Sequence, residues 1–141
     1  MVLVDTSVWV DLFRDASSST RNNLAREVGD HEVVLSRFQQ LELLQGCRDE
    51  HEWSLLGSYL DTQEYLEMSV SSWSDAARTF YDLRRVGLTV RSPLDCCIAQ
   101  IALDHDILLI HRDHDFETIS QIRPLRQLWL EADGSSVGLS T

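Results

Sequence analysis

Five carboxylates carry the chemistry that this sequence can offer. Asp5 directly follows the apolar run Val2 to Val4, and Asp113 and Asp115 follow Ile107 to Ile110 after a two-residue gap. Asp95 stands three residues after Ser92 in the run Ser-Pro-Leu-Asp, and Glu42 lies one helical turn beyond Phe38. In an open parallel sheet the ligand crevice lies beyond the carboxyl ends of the strands. If the two apolar runs are strands, four separate segments offer a carboxylate to that crevice or to the interior behind it. Carboxylates sharing one site raise one another's pKa values and weaken the fold unless something offsets the charge. A hard divalent cation such as Mg²⁺ does so through a few carboxylate oxygens plus water, leaving positions open for phosphate. Such an ion can also orient or deprotonate a water and stabilise a phosphate in transfer. The chemistry that fits is phosphodiester hydrolysis.

Each acid also has a plainer use. Asp95 could complete a capping box with Ser92, Asp5 could cap the helix that follows it, and one of Asp113 and Asp115 could cap the next short helix. Glu42 alone reads as a solvated helix residue. Joint placement argues for a site. His111 and His114, interleaved with Asp113 and Asp115, permit a zinc site, but the spacing matches no catalytic zinc motif and no cysteines form a C-x-x-C pair. Trp9, Trp53, Trp73 and Trp129 fall inside expected helices or strands and read as core or interface anchors rather than base-stacking platforms.

The elements that must position these residues alternate along the chain. Val2 to Val4, Glu32 to Leu35, Tyr65 to Met68, Ile107 to Ile110 and Gln127 to Leu130 read as strands. Between them, helices are expected from a Ser7 cap to Arg14, over Thr20 to Val28, from Ser36 to Gly46, over Asp49 to Leu60, from Ser72 to a stop at Gly87, and from Ser92 to His105, with a short one over Phe116 to Gln121. Ser36 and Gln39 form an S-x-x-Q capping box. Ser92 followed by Pro93 is the clearest helix start in the chain. The helix it opens is apolar nearly all round, the mark of one buried between other elements. Without hairpin signals, the alternation predicts an α/β fold: a three-layer sandwich with a mainly parallel central sheet and helices on both faces. A single domain over residues 1–132 is expected, with 133–141 a flexible C-terminal tail lacking periodicity.

The 141 residues carry 12 basic and 23 acidic side chains, a formal charge of −11, and 43% are apolar, enough for one domain with a sizeable core. All 12 basic residues are Arg. The lack of Lys excludes P-loop nucleotide binding and kinase-type phosphate pairing, and it argues against phosphoaspartate enzymes that neutralise phosphoryl charge with a Lys. Cys47, Cys96 and Cys97 are odd in number with two adjacent, which suits a reducing compartment. No cationic segment precedes an apolar stretch at the start, and no run approaches membrane-spanning length. A soluble, cytoplasmic protein with no membrane association is expected.

The stretches V-L-V-D-T-S-V-W-V, F-Q-Q-L-E-L-L-Q-G, T-V-R-S-P-L-D-C-C-I-A-Q-I-A-L and L-L-I-H-R-D-H-D-F together resemble the four motifs of PIN-domain ribonucleases. The similarity is greatest to VapC toxins of bacterial type II toxin-antitoxin systems, with T-V-R-S and H-R-D-x-D-F close to mycobacterial members. The resemblance spans about residues 2–130. It implies a catalytic set of Asp5, Glu42, Asp95 and Asp113, with Asp115 an additional or alternative member, and Ser7 supporting the first motif. Where many relatives begin the last motif with Thr or Ser, His111 and Arg112 stand here. The resemblance further implies an endoribonuclease using Mg²⁺ or Mn²⁺, held by Asp5, Asp95, Asp113 and Asp115, with Glu42 positioning the attacking water. Its substrate would be RNA, typically tRNA or rRNA. Its partners would be a second copy in a homodimer and a VapB-like antitoxin, giving a heterotetramer or larger complex. The −11 charge opposes RNA binding unless metal cancels part of it. Arg14, Arg84, Arg85, Arg91, Arg112, Arg123 and Arg126 are then expected to line the crevice rim, with Arg91 and Arg112 nearest the acids. A metal-dependent phosphatase or DNA nuclease would use the same acids, and a catalytically silent acidic protein-binding module is the reading from another class.

Overall fold

Val2–Val4 form β1, the central strand of a five-stranded, all-parallel sheet. The computed structural model describes residues 1–14 and 18–131; the expected tail at 133–141 lies outside them. From β1 the chain runs through α1 (Thr6–Arg14) and α2 (Ser19–Val28) to β2 (Val33–Ser36). It continues through α3 (Arg37–Gln45) and α4 (Glu50–Leu60) to β3 (Glu64–Leu66), then through α5 (Val70–Arg85) and α6 (Pro93–His105) to β4 (Leu108–His111). The short α7 (His114–Ile119) leads to β5 (Gln127–Trp129). The strand order is β3-β2-β1-β4-β5. The chain therefore winds to one side of β1 and then crosses to the other, and the switch falls between β1 and β4, where such sheets open a crevice at their carboxyl ends.

Alternation along the strands divides the core into two. On one face Leu3, Val34 and Leu109 pack against Ala76 and Leu83 of α5, Ile98 and Ile101 of α6, and Phe116 and Ile119 of α7. On the other, Val2, Val4, Leu35 and Ile110 meet Val8 and Trp9 of α1, Leu43 of α3 and Leu60 of α4. Helix α6 buries Asp95 and every residue from Cys96 to Ala102. This is the expected three-layer sandwich. Burial raises the Cys96 thiol pKa to about 12, so it is inert. No helix among the described residues is long and apolar enough to cross a membrane.

Local signals explain the boundaries. Ser36 and Gln39 form the expected reciprocal capping box at α3. Ser69 and Ser72 form a second one that starts α5 two residues before the expected Ser72. Gly87, at φ +80°, lets the α5 terminus close with the Leu88 amide donating to the Leu83 carbonyl at 2.8 Å. Helix α1 begins at Thr6 with Asp5 as the residue before it, and the Asp5 carboxylate accepts the Ser7 amide at 3.0 Å. The Ser7 cap expected from sequence is therefore replaced by an Asp5 cap, because Ser7 already lies within the first turn. Strand β4 includes His111, one residue beyond the expected end, and helix α7 begins two residues before Phe116 because Asp113 caps it.

Candidate active site

Asp5 leaves β1 at the switch point, its amide donating to the Ile110 carbonyl of β4 at 2.9 Å. Its carboxylate is buried and accepts hydrogen bonds from the Ser7 amide at 3.0 Å and the Ser7 hydroxyl at 2.7 Å. Ser7 Oγ in turn accepts the backbone N–H of Arg112 at 2.9 Å, tying the first acid to the segment that carries the last two. Burial pushes the Asp5 pKa up more than these hydrogen bonds lower it, and the negative charge of Asp113 adds to the rise.

Glu42, half-buried on α3, accepts a hydrogen bond from the Thr6 hydroxyl at 3.0 Å. Its pKa is also raised, first by burial and then by the charges of Asp5 and Asp113, against the lowering effect of Thr6. Gln39, one turn earlier, both caps α3 and donates its amide to the Val4 carbonyl. The helix bearing Glu42 is thereby fixed to the strand bearing Asp5.

The remaining acids form a tight group. One carboxylate oxygen each from Asp95, Asp113 and Asp115 lie within 4.8 Å of one another, the set among the described residues that could share a metal ion. Asp113 caps α7, its Oδ1 accepting the Asp115 amide at 2.9 Å. Ser92 Oγ caps α6 by accepting the Leu94 amide at 3.1 Å, which leaves the Asp95 side chain free of capping. Burial lifts the Asp95 pKa to about 8, helped by a hydrogen bond with Asp115 and by the charges of Asp113, Asp5 and Asp115. Burial acts on Asp115 too, but the hydrogen bond with Asp95 and those from the Arg91 amide and guanidinium outweigh it, so its pKa falls. Asp95 and Asp115 thus share one proton between two carboxylates, the arrangement expected where two such groups cannot both ionise.

The two arginines placed nearest the site in sequence separate. The Arg91 guanidinium reaches Asp113 at 2.6 Å and Asp115 at 3.1 Å. Arg112 is turned away. Its side chain is only 10% exposed and donates to the Leu130 and Glu131 carbonyls, each at 2.8 Å, to Thr20 at 3.4 Å and to Asp11 at 2.5 Å. It stitches α1, α2 and the end of β5 together and does not line the rim. Other arginines expected at the rim are also engaged elsewhere: Arg123 with Asp82, Arg126 with the Asp106 carbonyl, and Arg84 and Arg85 over the Phe80 and Tyr81 rings.

The histidines do not form a zinc pair. His111 is fully buried, its Nδ1 accepting the Asp113 amide at 3.0 Å and its Nε2 donating to Gln127 Oε1 at 2.6 Å. Burial lowers its pKa and keeps the ring neutral. His114 is exposed and pairs with Glu117. Sequence reasoning missed three supporting contacts: Thr6 on Glu42, Gln39 on Val4 and Gln127 on His111. Only the capping pattern of Gln39 left a local signal. Hard oxygen donors crowded beside a protonated aspartate fit a divalent cation, which would displace that proton.

Comparison with known proteins agrees with this geometry. Residues 2–122 match the model of the PIN domain. VapC ribonuclease Mb1587 of Mycobacterium bovis and ribonuclease VapC11 of Mycobacterium tuberculosis are each 31% identical over 129 residues, covering 89% of this chain and 96% of theirs. The fold is similar to VapBC2 from Rickettsia felis bound to a promoter DNA fragment, with a TM-score of 0.73, 20% identity, and coverage of 90% of this chain and 97% of that one. It is also similar to FitAcB from Neisseria gonorrhoeae, with a TM-score of 0.70, 19% identity, and coverage of 85% and 94%. With a family model spanning most of its length, relatives of this identity and a carboxylate crevice at the sheet's switch point, the chain belongs to the PIN-domain family, among the VapC ribonucleases.

Proposed function

We propose that the chain is a Mg²⁺-dependent endoribonuclease toxin of the cytoplasm that cuts tRNA or rRNA and is held inactive by a VapB-like antitoxin. The observation that carries this reading is the convergence of Asp95, Asp113 and Asp115, whose carboxylate oxygens lie within 4.8 Å of one another. Asp95, Asp113 and Asp115 would hold the cation, with Asp5 joining directly or through water. When bound, the cation supplies charge for the scissile phosphate and a more acidic water. Glu42, oriented by Thr6 and lifted in pKa by burial, takes the proton of the water attacking in line. Breaking the P–O3′ bond, with the departing O3′ taking a proton from solvent, then leaves 5′-phosphate and 3′-hydroxyl ends. RNA, DNA and small phosphomonoesters assayed with Mg²⁺, Mn²⁺ and a chelator test the reading. RNA cleavage lost on chelation is expected. Preference for DNA or monoesters would indicate the nuclease or phosphatase alternative, and no turnover of any would indicate a silent binding module.

Shared repulsion also predicts a stability effect. Asp5→Asn keeps an oxygen for the Ser7 amide but removes a buried charge, so the metal-free variant should melt higher than wild type. At ten times its Kd the cation should stabilise wild type by about 1.4 kcal/mol, a rise of roughly 3–5 °C, and the variant by less. Thermal melts at constant ionic strength check this, and an unchanged metal response in Asp5→Asn would remove Asp5 from the site.

The surface supports a homodimer. Leu41 and Trp73 are 57% and 55% exposed, and Trp73 borders a cleft lined by Phe38, Leu66 and Met68, with Arg37 and Glu67 at its edge. An apolar face carrying both charge signs suits packing against its own copy. Co-expression with the adjacent reading frame should yield a stable, cleavage-inactive complex, and the free toxin should sediment at twice the 16.2 kDa of one chain. A neighbour that neither binds nor inhibits would reject the antitoxin assignment.

A further inference from the structure

Arg91 stands in the connection between α5 and α6, just before the Ser92 cap. One residue delivers three donors to two acids. Its Nη2 reaches Asp113 Oδ2 at 2.6 Å, and its Nε and backbone N–H both reach Asp115 Oδ2 at 3.1 Å. These are carboxylates of the three-aspartate group described above. Among the described residues, no other arginine forms an ion pair with Asp113 or Asp115. The Arg91 side chain is nevertheless 77% exposed, so its ion pairs rather than burial hold it there.

A guanidinium and a divalent cation compete for the same two carboxylates, since each screens the charge that attracts the other and the two repel. Once released, the side chain needs only to rotate, a fast motion for an exposed residue. The hydrogen bond from the Arg91 backbone N–H to Asp115 survives that rotation, so the chain and the acid stay in register. The freed fork then lies beside the crevice of a protein with net charge −11, facing an incoming phosphodiester. Planar guanidinium matches phosphate in a bidentate manner.

We propose that Arg91 is a counter-ion that changes partners: it neutralises Asp113 and Asp115 in the metal-free protein and pairs with the RNA phosphate when a divalent cation takes its place. This rests on the metal site of the proposed function but adds a role that site does not require. The two halves give effects of opposite sign. Arg91→Gln should bind Mn²⁺ about tenfold more tightly in calorimetry at low salt, because a competing positive charge is gone. The same variant should show a KM for RNA raised about tenfold with a smaller change in kcat, because a contact made in the ground state is lost. Arg91→Lys should restore the wild-type Mn²⁺ affinity while recovering only part of the KM, since an ammonium carries the charge without the fork. A merely structural Arg91 would instead weaken Mn²⁺ binding when replaced.

Circular dichroism should show both variants folded. An Mn²⁺ affinity unchanged or weakened in Arg91→Gln would overturn the competition, and an unchanged KM would overturn the phosphate contact. Wild-type protein that binds no Mn²⁺ at millimolar concentration would overturn both this inference and the metal site beneath it. Binding that is unaffected by Arg91→Gln would leave the metal site standing and remove the switch alone.

Discussion

Asp95→Asn is expected to lower RNA cleavage by about 10³-fold, the equivalent of about 4 kcal/mol of lost transition-state stabilisation, while the protein stays folded. The side chain keeps its size, and the α6 cap is untouched because Ser92, not Asp95, accepts the Leu94 amide. The asparagine can also donate to Asp115, replacing the shared proton with a permanent hydrogen bond. Its effect on stability has a definite sign. In the metal-free protein Asp95 has a pKa of about 8, against an ordinary value of 3.8. Between those values the native state holds a proton that the unfolded chain has released, so stability falls as pH rises from about 4 to 8 and is flat beyond. The Asn variant lacks this contribution. Melts in chelator at pH 5, 6, 7 and 8 should show wild type losing more of its melting temperature than the variant, and saturating Mg²⁺ should narrow the gap. Asp5 and Glu42 are shifted in the same direction and remain in both proteins, so the difference reports the coupled pair of Asp95 and Asp115. Wild-type cleavage by the variant, or parallel melting curves, would remove Asp95 from the site.

Arg112→Ala is expected to have its largest effect on stability. Its guanidinium satisfies the carbonyls of Leu130 and Glu131 and pairs with Asp11 while 10% exposed. Removing it strands two acceptors and leaves a cavity, at a cost of about 3 kcal/mol or roughly 10 °C in melting temperature. The Asp11 partner is 42% exposed, so its share of that cost is discounted. The backbone N–H that anchors Ser7 is present in any variant, so kcat of the folded fraction should change little. Arg112 at the crevice rim would give the reverse: an unchanged melting temperature and a raised KM. Melts and steady-state kinetics on one preparation separate the two.

Much of this architecture was legible in local chemistry. Ser36 with Gln39, Ser92 with Pro93, and Gly87 satisfy or end the backbone hydrogen bonds of their own helices. Such signals act over three or four residues and need no knowledge of the rest of the chain. The central strand was legible for a related reason: Val2–Val4 is a short run buried on both faces, with no polar position to confuse the reading. The order of the four acidic segments was also available, because Asp5 and Asp113 each follow a strand and Glu42 and Asp95 lie within helices whose starts were marked.

The strand order β3-β2-β1-β4-β5 decided the rest. It sets Asp5 beside Ile110 and so brings Ser7 to the Arg112 amide, across a separation of 105 residues. Asp5 and Ser7 were both plausible caps in sequence, and the choice fell to the packing of that segment. Arg91 and Arg112 are equally cationic and each stands close in sequence to one of the acids. One extends over the crevice and the other turns inward to the carbonyls of Leu130 and Glu131, because β5 ends where Arg112 can reach it. The shared proton of Asp95 and Asp115 depends in the same way on burial by α6 and α7 together. By itself, the sequence determined which elements form and which acids they carry or precede. Which charges meet, and which are removed from water, was decided by tertiary structure, because desolvation and Coulomb energy depend on distance and burial rather than on position in the chain.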